Sequence, residues 1–132
     1  MASKLALSFL LCLIFSCAPT KDTNLKSIVE ALIGESCLEK ETWTKEKAKE
    51  KADTLKKSVP VVLAECTSED IARFSDFYQC YLDACRTFTE KTGLSHYVHT
   101  GPCIDQVKSL GNISKKCYQQ VQRFDPSNPM TP

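Results

Sequence analysis

The chain has 132 residues, 17 Lys and Arg against 16 Asp and Glu, a net charge of +1, and eight cysteines. Near-neutrality argues against a nucleic-acid binder, which would carry a basic stripe, and against a cationic membrane-lytic peptide. The length suits one domain, and the scarcity of glycine favours helices over many short strands.

Residues 1–18 read as a secretory signal. Residues 1–4 carry one positive charge, 5–15 are apolar apart from Ser8, and Ser16, Cys17 and Ala18 are small. Cleavage after Ala18 fits the small-residue rule, although Pro19 is an awkward first residue, so a cut one or two residues away is the alternative. The run 13–17 loosely resembles a bacterial lipoprotein box, for which Phe15 is too bulky. Removal of the signal takes away Cys12 and Cys17. Six cysteines remain in an oxidising compartment: Cys37, Cys66, Cys80, Cys85, Cys103 and Cys117. No further apolar run is long enough to span a bilayer. The expected product is a secreted, extracellular protein without a transmembrane segment.

Residues 19–124 form the expected domain. Leu25, Ile28, Val29, Leu32 and Ile33 make the stripe of an amphipathic helix over 23–36, with Asp22 or Thr23 as its cap. Gly34 weakens its end. Residues 41–58 have high helix propensity and a thin stripe of Thr44, Ala48, Ala52, Leu55 and Val59. Their alternating Lys and Glu describe a solvated face. Pro60 predicts a kink, or a fresh start for a short apolar segment over 61–64.

Ser68 then predicts an N-cap, with Glu69 and Asp70 in the first turn of a central helix reaching about residue 91. Ile71, Phe74, Tyr78, Tyr81, Leu82, Cys85 and Phe88 line its face, and Gly93 closes it. Residues 95–100 read as a polar loop. Pro102 opens a short helix with Cys103, Ile104, Val107 and Leu110 on its face, ended by Gly111. Ser114 caps a last helix bearing Cys117, Val121 and Phe124. Residues 125–132 form a proline-rich, flexible tail. The expected fold class is all-α: a small disulfide-stapled bundle of about five helices.

Cys80 and Cys85 share the central helix, about 140° apart in direction and about 7.5 Å apart in rise. Disulfide Cα atoms rarely exceed about 6.8 Å, so these two anchor other segments instead. If the helix from Pro102 folds back along the central helix, Cys103 arrives near Cys85, and the next turn brings Cys117 to Cys80. Cys37–Cys66 is then left to clasp the charged helix at both ends. Fifteen pairings exist in principle. No CxxC occurs and the spacings fit no zinc site, so no metal is expected.

Candidate chemistry is sparse. His96 and His99 stand i, i+3 in the expected loop with no carboxylate or nucleophile tied to them. Asp76, Asp83 and Glu90 mark a solvated face of the central helix. No zinc-protease, nucleophile-elbow, phosphate-loop or calcium-loop pattern is present. No catalytic residue and no cofactor are expected. Asn112-Ile113-Ser114 is a glycosylation sequon in a short turn.

Among secreted helical families, insect odorant-binding proteins require a second and third cysteine three residues apart, unlike Cys66 and Cys80. Saposins also fail to match, as do secreted phospholipases, whose CCxxH signature is missing. The run Cys80-x4-Cys85, Cys103-Ile-Asp-Gln-Val and then SKKCYQQVQRFDP resembles a secreted cysteine-rich helical domain of roundworms, the T20D4.11-like domain of unknown function, over residues 66–127. Members often carry more cysteines. The resemblance implies an extracellular protein and supplies no catalytic residues.

The expected function is therefore a non-enzymatic extracellular binding or interaction protein whose partner is another extracellular protein. The second reading is a carrier of a small hydrophobic ligand such as a lipid or odorant. Its cavity would be lined by Phe74, Phe77, Tyr78, Tyr81 and Phe88.

Overall fold

The computed structural model describes residues 21–41, 44–88 and 93–124, without the side chains of 21–23, 123 and 124. The expected signal and its cleavage site, Cys12, Cys17, Glu90 and the tail 125–132 lie outside the described residues. Among the described residues the fold is six α-helices: α1 Lys21–Gly34, α2 Lys45–Glu65, α3 Ser68–Thr87, α4 Leu94–Thr100, α5 Ile104–Leu110 and α6 Lys115–Phe124. It is a small, disulfide-stapled all-α fold, and no described helix is long and apolar enough to cross a membrane.

α1 buries Leu25, Ile28, Val29 and Leu32, as the periodicity predicts. It stops beyond Gly34, at Ser36, which takes φ +56°. The Ser36 N–H donates to the Ile33 carbonyl at 3.2 Å and the Cys37 N–H to the Leu32 carbonyl at 3.1 Å. That pair of bonds is a Schellman motif, with serine where glycine is usual.

α2 buries Ala48, Ala52, Leu55, Val59 and Val62. Thr44 belongs to the cap rather than to the buried seam: its hydroxyl accepts from the Lys47 N–H at 3.3 Å. Pro60 does not open a fresh helix, the second of the two outcomes expected there. It lies inside one 21-residue helix. It withholds one N–H, the one that would reach the Lys56 carbonyl, and the residue is exposed. The Ser58 hydroxyl meanwhile donates to the Leu55 carbonyl at 3.1 Å.

α3 starts one residue earlier in register than expected, with Thr67 as N-cap. Thr67 and Asp70 form a capping box: the Asp70 N–H donates to the Thr67 hydroxyl at 3.1 Å, and the Thr67 N–H to the Asp70 carboxylate at 3.2 Å. The helix ends at Thr87, short of residue 91. Residues 94–100, expected as a loop, are helical. Leu94 and Val98, both 0% exposed, are an i, i+4 pair that is buried only if the segment coils. Gly93 consequently begins α4 instead of closing α3. α5 is as expected, except that Ile104 is exposed. Ser114 caps α6, accepting from the Cys117 N–H at 3.3 Å.

α3 is central: α1, α4 and α5 pack on it, while α6 packs on α2. Gly101 turns the chain between α4 and α5, where a Cβ would stand 2.5 Å from the Tyr97 carbonyl oxygen.

The disulfides are Cys37–Cys85, Cys66–Cys117 and Cys80–Cys103. None of the three expected pairings, Cys37–Cys66, Cys80–Cys117 and Cys85–Cys103, is present. The extra helix α4 carries the chain farther back along α3, so Cys103 meets Cys80 instead of Cys85. α6 then leaves α3 for α2, where Cys117 finds Cys66 at the C-cap. Cys85 is left to α1, which packs along α3 and delivers Cys37. Glu35 and Arg86 close the same end with two hydrogen bonds, of 2.9 and 2.7 Å.

Candidate functional site

The aromatic set belongs to the hydrophobic core. Phe74, Phe77 and Tyr81 are buried in the core, and Tyr78 and Phe88 pack against it. Phe77 lies 5.2 Å from Tyr78, 6.1 Å from Tyr81 and 6.0 Å from His99 between ring centres, and Phe88 lies 5.4 Å from Tyr97. Two of these contacts, Phe77–His99 and Phe88–Tyr97, seat α4 against α3. Burial lowers the His99 pKa, which favours the neutral imidazole beside the phenyl ring. His96 is exposed, so the two histidines do different things.

Among the described residues, concavities lie between α1 and α2 and between α3 and α5. The first is an apolar groove of about 410 Å³ between α1 and α2. α1 contributes Lys26, Val29, Glu30 and Ile33; α2 contributes Lys56, Val59, Pro60 and Leu63. Each helix thus presents an i, i+3, i+4, i+7 stripe, and each stripe opens with a lysine. Lys26 pairs with Glu30 at 4.0 Å on the exposed rim, a contact worth little in water. Lysine stems extend apolar walls while their ammonium groups stay solvated. The volume falls within the ~300–1,000 Å³ of small-molecule sites.

The second is an acidic cleft of about 460 Å³ between α3 and α5, bordered by Asp76, Gln79, Cys80, Asp83, Asp105, Gln106 and Ser109. Gln79 donates to Asp83 at 2.9 Å. Arg73, bonded to Glu69 at 2.7 Å, reaches the Ser109 hydroxyl at 2.8 Å. Asp76 and Asp83, read from the sequence as a plain solvated face, share this cleft with Asp105. Among the described residues no group of three or more His, Cys, Asp or Glu is placed to hold a metal ion.

Sequence reasoning missed the groove because its walls mix lysine, proline and aliphatic residues from two helices. It also missed Glu41, which is 8% exposed, with Oε2 buried and lacking a hydrogen bond. Burial raises its pKa to about 7 against the opposing pull of Lys51. Asn112 is exposed in the turn between α5 and α6. No protein-family model, curated protein or solved structure matches the chain.

Proposed function

We propose that this chain is a secreted, non-enzymatic binding protein that meets an extracellular protein partner through its concave surfaces. The observation that supports the reading is the scaffold: Cys37–Cys85 and Cys80–Cys103 fasten α1 and α5 to α3, Cys66–Cys117 fastens α6 to α2, and the described residues leave two recesses of contrasting chemistry. Such pre-organisation lowers the ordering cost of association. The resemblance to the roundworm domain belongs to the same proposal, as does a glycan on Asn112.

The reading is tested by capture with oxidised protein and mass spectrometry of what is retained. Ile33→Glu with Leu63→Glu spoils the groove, and Asp76→Lys with Asp105→Lys reverses the cleft. A partner retained by the wild type and lost with one pair assigns the surface. A partner indifferent to both pairs removes these recesses from the argument.

The second reading, a carrier of a small hydrophobic ligand, is favoured by one observation: the groove walls of Val29, Ile33, Val59, Pro60 and Leu63. On this reading the site proposed is the α1–α2 groove. Lipid co-purifying with wild type and absent from the Ile33/Leu63 variant supports it.

A further inference from the structure

We propose that Asn112 accepts a glycan only before the α5–α6 corner closes, so that formation of Cys66–Cys117 limits how much of the protein is glycosylated. The proposal rests on the reading of the chain as secreted.

The argument begins with the third residue of the sequon. N-linked transfer needs the sequon opened out, with its Ser or Thr hydroxyl facing the transferase. In the folded protein that hydroxyl is committed. Ser114 Oγ donates to Asp70 Oδ2 at 2.6 Å and accepts from the Cys117 N–H at 3.3 Å. The Ser114 N–H donates to Asp70 Oδ1 at 2.8 Å. The two preceding residues are held as well: the Asn112 N–H reaches the Ser109 carbonyl at 3.1 Å, and the Ile113 N–H the Leu110 carbonyl at 3.3 Å. Opening the sequon would break all of these bonds together. Three residues after Ser114, Cys117 is 0% exposed and joined to Cys66, which forbids that opening.

The Asn112 side chain itself is on the surface. A glycan already attached therefore projects into solvent and leaves the closed corner intact. The order of events decides the product, and either product folds.

Both steps balance with reactants of a secretory compartment. In transfer, Asn112 Nδ2 bonds to the anomeric carbon of an oligosaccharide carried on a polyprenyl pyrophosphate. The bond from that carbon to the phosphate oxygen breaks, the pyrophosphate leaves with the electron pair, and an Nδ2 proton passes to a base of the transferase. In closure, the Cys66 and Cys117 thiols give two electrons and two protons to a disulfide donor, which becomes a dithiol.

The test expresses the full chain in a eukaryotic secretory cell. Glycan occupancy is read on cell-associated chain after a short pulse, as a gel shift removed by an N-glycan-cleaving amidase. Variants that are not exported still report. Wild type should be a mixture. Cys66→Ala with Cys117→Ala, or wild type labelled under dithiothreitol, should raise the glycosylated-to-unglycosylated ratio at least two-fold. Cys80→Ala with Cys103→Ala should raise it less, because that bond does not clamp Ser114. Asn112→Gln should abolish the shift, and Ser114→Thr should keep it. Full occupancy in wild type, no occupancy in any form, or equal gains from both cysteine pairs overturns the proposal. A chain that keeps residues 1–18 and free thiols refutes the secretion reading instead. The glycan proposal is then decided with an unrelated signal placed before Pro19.

Discussion

Asp70 and Ser114, 44 residues apart, are joined twice: the Ser114 N–H meets Asp70 Oδ1 at 2.8 Å and its hydroxyl meets Oδ2 at 2.6 Å. The same carboxylate receives the Thr67 N–H. One buried side chain thus caps the start of α3 and fixes the start of α6. Burial pushes the Asp70 pKa up, but the hydrogen bonds from Ser114 and Thr67 outweigh it and hold the pKa below the usual value.

The sign of the resulting pH dependence follows from that lowered pKa. A carboxylate with a depressed folded pKa adds stability above its unfolded pKa of about 3.9 and loses it as pH falls through the lower folded value. Asp70→Asn keeps the shape and removes the charge. It should cost about 1–3 kcal/mol at neutral pH and flatten the acid limb of a denaturant-midpoint profile. An unchanged acid limb would show that Asp70 does not set it.

Glu41 acts in the opposite sense. Its folded pKa, raised to about 7 by burial, makes the native state hold a proton that the unfolded chain releases near 4.5. Its contribution is therefore full at low pH and is lost as pH rises to about 7. Glu41→Gln should be nearly neutral at pH 4 and stabilising by up to about 3 kcal/mol at pH 8. Denaturant midpoints at the two pH values check this.

Ser36 occupies a left-handed conformation that costs an L-residue roughly 1–2 kcal/mol. It is exposed, so little is lost with its side chain. Ser36→Gly should raise stability by about 1 kcal/mol, offset in part by the greater freedom of glycine in the unfolded chain. A thermal melt of the two proteins decides it; a lower melting temperature for the glycine variant would contradict the Schellman assignment.

The bonds should rank by the chain they enclose. Cys66–Cys117 spans 51 residues and Cys80–Cys103 spans 23. The chain-entropy estimate is about 4 kcal/mol for the first and about 3 kcal/mol for the second. Paired alanine substitution at 66 and 117 should also strip hydrogen-exchange protection from α6 while sparing α4, and the pair at 80 and 103 should loosen the α4–α5 corner. Equal loss throughout would mean that the helices open as one unit.

How much of this could be read in advance depended on the range of the interaction. The α1 stripe and the small-residue seam of α2 were legible, since Leu25 to Leu32 and Ala48 to Val59 repeat with helical spacing. α4 was hidden because its seven residues offer only Leu94 and Val98 as buried apolar markers. The disulfide pairing was out of reach because it depends on how far each helix slides along α3, and α4 altered that register. The Asp70–Ser114 contact appears locally as two separate caps, and only tertiary packing makes them one. The groove arises where two stripes diverge, which neither stripe states alone.

The order of the bonded cysteines has a further effect. Cys37–Cys85 overlaps both other bonds, and Cys66–Cys117 encloses the third. Every peptide bond between Cys37 and Cys117 is therefore bridged by at least one disulfide. A protease that nicks the exposed turn at Gly111 and Asn112, or any other exposed segment in that interval, leaves a single covalent molecule. Fragments separate only on reduction, so such a cleavage would release no fragment on a non-reducing gel, and a nicked molecule would keep its helices tethered.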